Sequence, residues 1–558
     1  MAFADLLAKE RTIAGAGFNR WLVPPAALAI HLCIGMAYGF SVFWKPLGNA
    51  LIGDDGAPLA SCAAGATTFA EKLAGTSRAL FATDCNWTQF DLGWMYTLFF
   101  VVLGCSAAIW GGWLERAGPR KAGFVSAICW CGGLLISAFG VYEHQLWMMW
   151  LGSGVIGGIG LGLGYISPVS TLIKWFPDRR GMATGMAIMG FGGGAMIGSP
   201  LATLLMAKFA APGQIGVWQT FVVLAAIYAV FMFSGAFSYR VPATGWKPEG
   251  WQPPENAVSN AMIATRHVHL NNAHKTPQFW LLWVILCMNV SAGIGIIGAA
   301  SPMLQETFGG ALIGQPEIGF ADLKVTPELL AGAVAIGAGF VGLISLFNIG
   351  GRFAWASSSD KLGRRPTYAI FFVLGIGLYL LASLAAGWKS LPIFVACFCV
   401  IASMYGGGFA TIPAYLADMF GTQFVGAIHG RLLTAWSTAG ILGPVVVNYM
   451  HDIRLEQKIP FDQIYGPIFY VLAGMLVVGL LANLLVRPVA DKYFMSDAEL
   501  AHEKQLAHEK SLSSNVGEGS GETAASSPVL PVLAWLAVGI PLAYGIWVTL
   551  QKSAVLFK

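Results

Sequence analysis

The sequence predicts an all-α membrane protein of two six-helix bundles followed by a further C-terminal transmembrane helix. Three observations carry this expectation. Of 558 residues, 56% are hydrophobic and only 11% are charged, a balance outside the range of ordinary soluble domains. The apolar residues fall into thirteen long blocks, each about 20 residues or more and without the two-residue alternation of a barrel strand. A charged motif occurs twice, each time after the second block of a half. Lipid offers the backbone no hydrogen-bond partner, so such blocks cross as helices.

The expected spans are 22–44, 90–112, 122–141, 146–172, 181–208, 216–238, 279–301, 330–356, 366–386, 391–415, 424–447, 466–486 and 528–550. The first is too long for a signal segment and ends in SVFWKPLG with no small-residue cleavage site, so it is expected to stay. Lys9, Arg11 and Arg20 precede it, Arg116, Arg120 and Lys121 follow the second span, and Lys174, Arg179 and Arg180 follow the fourth. With Lys361, Arg364, Arg365, Arg487 and Lys492 they fall on one side, which predicts a cytoplasmic N-terminus in a bacterial inner membrane. Lys552 and Lys558 lie on the other flank of the last span; crossing puts the C-terminus in the periplasm, and a surface-lying or re-entrant tail is the alternative. The net charge of +4 sits at loop edges, with no basic domain for a nucleic acid.

Residues 1–238 are expected to form the first bundle, 239–278 a cytoplasmic linker and 279–486 the second bundle. Residues 487–527 read as a charged segment and flexible linker before the helix at 528–550. Residues 45–89 form an outer loop holding Cys62 and Cys85, candidates for a disulfide in an oxidising compartment. The other cysteines lie in apolar helices and read as small core residues. In the linker, His267, His269 and His274 lack a Cys, Asp or Glu to complete a ligand set, so neither metal nor cofactor is expected. Gly-rich runs at 154–170 and 181–200 lie inside spans, where small residues let helices approach closely.

The repeated motif is GGWLERAGPRK at 111–121 and ASSSDKLGRR at 356–365. The first copy supplies Gly111, Glu115, Arg116, Gly118, Arg120 and Lys121; the second supplies Asp360, Lys361, Gly363, Arg364 and Arg365. Glycines allow helix ends to meet, and the acids and bases can form charge-assisted bonds across a gate. Both copies resemble the signature loop of the major facilitator superfamily, which implies two related bundles and alternating access. SVFWKPLG at 41–48, PDRRGMATGMAIMGFGGGAMIGSP at 177–200, FNIGGRFAWASSSDKLGRR at 347–365 and ADMFGTQFVGAIHG at 417–430 resemble the oxalate/formate antiporter family. The monocarboxylate transporters are more distant relatives. The resemblance implies carriage of a small carboxylate such as formate, lactate or pyruvate, with a proton or a counter-anion as the coupled species.

Arg352 interrupts the eighth span eight residues before Asp360, about 12 Å along a helix. Asn348 lies one turn deeper. Aligned on the motif, Arg352 falls on Ala107, so the architecture does not itself require a cation there. A guanidinium at this depth snorkels with difficulty and should face water, a protein carboxylate or substrate, and it can hold a carboxylate by two parallel bonds. In the resembling oxalate/formate family the eighth-helix arginine binds carboxylate, and Arg352 occupies its place. That family's second cation is a helix-eleven lysine; the matching stretch Thr434–Ser437 carries Trp436 instead. One central cation suits a monocarboxylate, with an oxalate/formate-type dicarboxylate exchanger as the alternative. Monocarboxylate transporters often carry an acid one turn before the arginine, where this chain has Asn348.

Other residues could complete the site. His31, midway along the first span, could bond across the bundle or move a proton. Tyr38, Tyr165 and Tyr405 could donate to a carboxylate, Lys45 could draw anions to the mouth, and Arg431 beside His429 could be a second charge or a boundary contact. The last helix resembles a fused small membrane subunit and implies contacts with the bundle or with other membrane proteins. No nucleophile, acid–base pair or metal set suggests an enzyme. A carboxylate receptor or scaffold built like a transporter is a second alternative, separable from a carrier by flux.

Overall fold

The protein is described from a computed structural model of all 558 residues. The structure describes every residue except 1–5, 16, 54–57, 67, 212–213, 244, 253–261, 325, 514–526, 528 and 558. Lys558, the middle of the linker and the flexible stretch of the tail, all named above, lie outside the described residues.

Among the described residues thirteen helices are long and apolar enough to cross a membrane. They are α1 (Arg20–Leu47), α2 (Gln89–Ala117), α3 (Pro119–Tyr142), α4 (Leu146–Trp175), α5 (Arg180–Phe209), α6 (Val217–Ser238) and α7 (Pro277–Ile313). Then follow α8 (Glu328–Leu362), α9 (Arg364–Gly387), α10 (Leu391–Phe420), α11 (Val425–Glu456), α12 (Phe461–Leu485) and α13 (Val529–Gln551). Helices α1–α6 and α7–α12 pack as two bundles, with α13 added outside. The largest boundary difference is in α7, which runs past residue 301 to Ile313. Its polar Glu306 is buried and lies 2.9 Å from His451 of α11, so the helix continues where hydropathy alone ends it.

Three helices depart from α geometry. In α1, Gly35–Phe43 is a 3-10 stretch; in α4, Trp150–Ile156 is a π stretch; α11 breaks between Val425–Leu432 and Thr434–Glu456. The 3-10 stretch lies on the Gly-rich run of α5, where a Cβ on Gly194 would stand 2.6 Å from Gly35 Cα. This close approach places Tyr38 between the bundles.

Cys62 and Cys85 form a disulfide. Within the loop it closes, the helix Phe69–Ala79 starts at a Thr68/Glu71 capping box, an element the apolar pattern did not announce. The Thr76 hydroxyl bonds to buried Asp91, which also caps the start of α2 through Thr88, so this loop is anchored to the first bundle. The charged helix expected after α12 spans Asp497–Ser513. No cluster of three or more metal-ligating side chains occurs among the described residues.

Helix α13 touches both bundles. Trp535 Nε1 donates to Trp21 O in the first turn of α1 (3.2 Å), Val538 packs on Leu28 and Ala29, and Ser553 Oγ, just past the end of α13, donates to Gly339 O of α8 (2.9 Å). A Cβ on Gly193 of α5 would meet Leu542 at 2.8 Å. Its remaining face is apolar and open, with Leu533, Leu536, Ile540 and Trp547 exposed, as suits lipid. Deleting residues 528–558 is expected to lower the melting temperature in detergent by several degrees while leaving saturable transport in place, because the lost contacts are peripheral. Thermal unfolding and uptake of the truncated chain check this.

Candidate functional site

Arg352 is fully buried at 0% exposure in mid-α8. Its Nε donates to Asn348 Oδ1 one turn earlier (3.0 Å), which fixes the plane of the guanidinium. Nη1 and Nη2 are buried without a hydrogen-bond partner, and among the described residues no acid forms an ion pair with this side chain. Small residues make its slot: a Cβ on Gly192 of α5 would lie 2.9 Å from Arg352 Nε, and one on Gly406 of α10 would lie 3.0 Å from its Cγ.

Aromatic rings surround the cation. Its Cζ lies 5.9 Å from the Phe191 ring and 5.4 Å from the Phe409 ring. Trp436 fills the centre, with its ring 4.7 Å from Phe409, 5.3 Å from Tyr165 and 5.5 Å from Phe191. Tyr38 of α1 and Tyr405 of α10 meet hydroxyl to hydroxyl across the bundles at 3.1 Å. Tyr165 Oη, Trp436 Nε1 and both ring nitrogens of His429 are also buried and unpartnered. Burying such groups unpaired is costly. The cluster is rich in donors, and among the described residues no carboxylate is paired with them.

The structure thus gathers Arg352, Asn348, Trp436, Tyr38, Tyr165, Tyr405 and His429 around one region. His31 lies beside it and is occupied: Nδ1 is 2.5 Å from Ala187 O, Nε2 is 3.2 Å from Tyr165 O, and the ring stacks on Tyr165. Lys45 is exposed at the far end of α1. Arg431 points to the face that carries the N-terminus, where it donates to Leu270 O (2.7 Å), His274 Nδ1 (2.9 Å) and Asn271 Oδ1 (3.3 Å). It is a boundary contact, and α11 brings Trp436 to the cluster instead.

The motif acids seal that same face. Glu115, ending α2, accepts from Gly426 N at the start of α11 (3.1 Å), from Ser170 Oγ (2.8 Å) and from Lys174 Nζ (2.6 Å). Asp360, ending α8, accepts from Gly181 N and Met182 N at the start of α5 (2.8 and 2.9 Å) and from Arg364 (2.7 Å). Each acid therefore satisfies free N–H groups in the first turn of a helix in the other bundle, where the helix dipole favours negative charge. Asp418 of α10 adds a third crossing through Arg180 of α5 (2.9 Å) and also holds Arg364 (2.9 Å).

The bases differ from the expectation of bonds across the gate. Arg120 donates to Leu6 O and Tyr239 O, and Arg365 donates to Asn483 O and Leu484 O, so both pin the end of the last helix of their own bundle. Arg364 acts within its own bundle, and Arg116 and Lys361 are exposed. Gly118 and Gly363 share φ +87°, a turn that side chains resist, and a Cβ on Gly111 would lie 2.9 Å from Ala427 Cα. Asp418, Phe191 and Phe409 were not singled out from the sequence, and Lys174 was read as a positive flank rather than as the partner of Glu115. The polar ones left a trace as charges at helix ends; the phenylalanines left none among 35.

Comparison with known proteins agrees with this architecture. Residues 60–444, and in a second overlapping match 338–554, fit the Major Facilitator Superfamily. The chain belongs to that superfamily of membrane transporters. It is 24% identical over 351 residues to the uncharacterized MFS-type transporter YhjX of Escherichia coli, covering 63% of this chain and 77% of that one. It is 27% identical over 288 residues to the oxalate:formate antiporter of Oxalobacter formigenes, covering 52% and 59%. It is also 27% identical over 330 residues to the apicoplast pyruvate carrier 1 of Toxoplasma gondii, covering 50% and 55%. The matches thus span just over half the length of the latter two relatives. Among solved structures, the proton:xylose symporter XylE superposes with a TM-score of 0.54 at 13% identity over 86% of this chain and 98% of that one. A bacterial homologue of the iron transporter ferroportin superposes with 0.53 at 13% identity over 84% and 99%. These two likenesses concern the fold.

Proposed function

We propose that this chain is a secondary carrier of small organic anions, foremost monocarboxylates such as formate, lactate or pyruvate, working by alternating access in a bacterial inner membrane. The observation that carries the reading is the buried Arg352 fork: Nε is held by Asn348, and both Nη groups are free to take the two oxygens of one carboxylate. The names of the oxalate:formate antiporter and the pyruvate carrier support the substrate class. With the N-terminus in the cytoplasm, as the positive flanks favour, the Glu115, Asp360 and Asp418 contacts hold the cytoplasmic side closed. Substrate entry parts the Tyr38–Tyr405 contact and the rings over Arg352, and closure around the neutralised pair precedes opening of the cytoplasmic gate.

Asn348 also bears on coupling. An acid there would neutralise Arg352 in the empty carrier; with an amide, the empty carrier must reorient with a bare buried cation, which costs several kcal/mol. Exchange of one anion for another avoids that cost and is favoured over proton symport. Reconstituted protein tests both points: labelled carboxylates are offered to vesicles preloaded with unlabelled anion or held under an imposed pH gradient. Stimulation by internal anion is expected. Binding without saturable flux would indicate a receptor, and uptake driven by the pH gradient alone would indicate symport.

Trp436→Lys is expected to add a second central cation and to strengthen competition by oxalate about tenfold or more relative to a monocarboxylate. Competitive uptake measures it, and unchanged oxalate competition counts against the single-cation account.

A further inference from the structure

We propose that α13 is a brace laid across the two bundles, and that its far end, where Thr549 and Ser553 rest on α8, lets go each time the cytoplasmic gate opens. The grip of that end then sets how often the carrier leaves the gate-closed state. The inference rests on the alternating-access reading above and adds the element that governs the rocking step.

One stripe of the helix makes the contacts. Trp535, Val538, Leu542, Gly545, Thr549 and Ser553 recur every three or four residues, so they share a face. Val538, Gly545, Thr549 and Ser553 are buried, whereas Leu536, Ile540 and Trp547 on the remaining faces are exposed. Thr549 and Ser553 are 7% and 2% exposed, so the two hydroxyl residues are turned inward at the end of a segment that otherwise offers lipid apolar side chains.

Followed along its length, the stripe changes bundle. Trp535 Nε1 donates to Trp21 O (3.2 Å) and Val538 packs on Leu28 and Ala29, all of α1. A Cβ on Gly193 of α5 would lie 2.8 Å from Leu542, and one on Gly545 would lie 3.3 Å from the backbone of Met196, also of α5. The next two positions meet the second bundle. A Cβ on Gly342 of α8 would lie 3.1 Å from Thr549 Cγ2 and 3.3 Å from Ser553 Oγ, and Ser553 Oγ donates to Gly339 O (2.9 Å). Gly339 and Gly342 belong to the half of α8 away from Asp360, while Asp360 itself holds the start of α5. The helix is therefore fastened to α1 and α5 at one end and to α8 at the other.

An element fixed to two bodies cannot keep both sets of contacts when the bodies rotate against each other. Opening the cytoplasmic gate parts Asp360 from α5 and pivots the far half of α8 relative to the first bundle, so one end of α13 must yield. The two ends differ in what release costs. At the near end Val538 and Leu542 interdigitate with side chains and backbone of α1 and α5, and Trp535 Nε1 would lose its acceptor. At the far end two hydroxyl residues lie on two glycines and share a single bond. Parting it orphans nothing: Gly339 O lies within α8 and keeps its helical partner, and a serine hydroxyl at a helix end can turn to the carbonyl four residues back. The far end is thus the latch, and a glycine surface lets it slide without catching.

Two covalent ties test this in the full chain in proteoliposomes, with uptake of the labelled monocarboxylate that the native chain carries fastest. Gly342→Cys with Ser553→Cys, oxidised, fixes the far end, and Ala29→Cys with Val538→Cys fixes the near end. The far tie should lower turnover about tenfold or more and a reductant should restore it, while the near tie should stay within about twofold of the same chain reduced. The single-cysteine variants and the native chain, treated alike, should not respond. Full turnover under the far tie, or turnover lost under the near tie, overturns the inference. Should Gly342→Cys insert poorly, Gly339→Cys with Ser553→Cys makes the same tie. A second readout needs no cysteine: in Ser553→Ala the amides of Gly181 and Met182, at the opposite end of the seam, should exchange hydrogen about threefold or more faster. Equal exchange there also overturns the inference. A native chain without saturable uptake rejects the carrier reading itself, whereas saturable uptake indifferent to the far tie rejects the brace alone.

Discussion

Arg352→Ala is expected to bring saturable carboxylate uptake close to background while the chain still inserts. Removing the partner of a desolvated carboxylate costs about 2–5 kcal/mol, or roughly 30- to 5,000-fold in transport efficiency. Stability should not suffer in step, because in the empty protein this guanidinium is a buried cation with two unsatisfied ends rather than half of an ion pair. Arg352→Lys should keep at most part of the activity: an ammonium retains the charge but can neither reproduce the planar fork nor be held through Nε by Asn348. Uptake kinetics on variants matched for membrane content check both. Normal kinetics in a properly inserted Arg352→Ala variant would remove the basis of the proposed substrate class.

Asp360→Asn should impair turnover about tenfold or more by a different route. The carboxylate accepts two N–H groups at the start of α5 and one bond from Arg364, and the amide loses the charge that favours all three. A loss of about 1–3 kcal/mol from the closed gate shifts its population about 5- to 150-fold toward opening. Hydrogen exchange reads this at the bonds themselves: peptides covering Gly181 and Met182 should exchange faster in Asp360→Asn, while those covering Gly426 should not. Glu115→Gln should give the reverse, since its carboxylate meets Gly426 N. Equal protection in the variants and the native chain would show that the motif acids do not hold the gate.

The fold was legible because each of its causes is local. Apolar runs long enough to cross, positive flanks and a twice-written motif need no knowledge of neighbouring helices, and all thirteen spans were found, with the largest end difference where polar Glu306 is buried inside protein. The site was legible at Arg352 for the same reason, since a charge deep in an apolar run is conspicuous by itself. Its surroundings were less so. Phe191 and Phe409 look like any bundle phenylalanine, and only the approach of α5 and α10 makes them walls of the site. The gate acids were visible, but their partners are backbone N–H groups that every residue carries, so reasoning from side chains assigned the bases to the crossing instead. Arg431 and Trp436 show the same limit on α11: direction around the helix, not position along it, separates a linker contact from the central ring.

The most direct measurement is equilibrium binding of a labelled monocarboxylate, with lactate as probe, to purified full-length protein and to folded Arg352→Gln, a readout that needs no completed transport cycle. The account predicts saturable binding to the native chain, competed by formate and pyruvate, and no saturable binding to the variant. Binding of equal affinity in both proteins would contradict it.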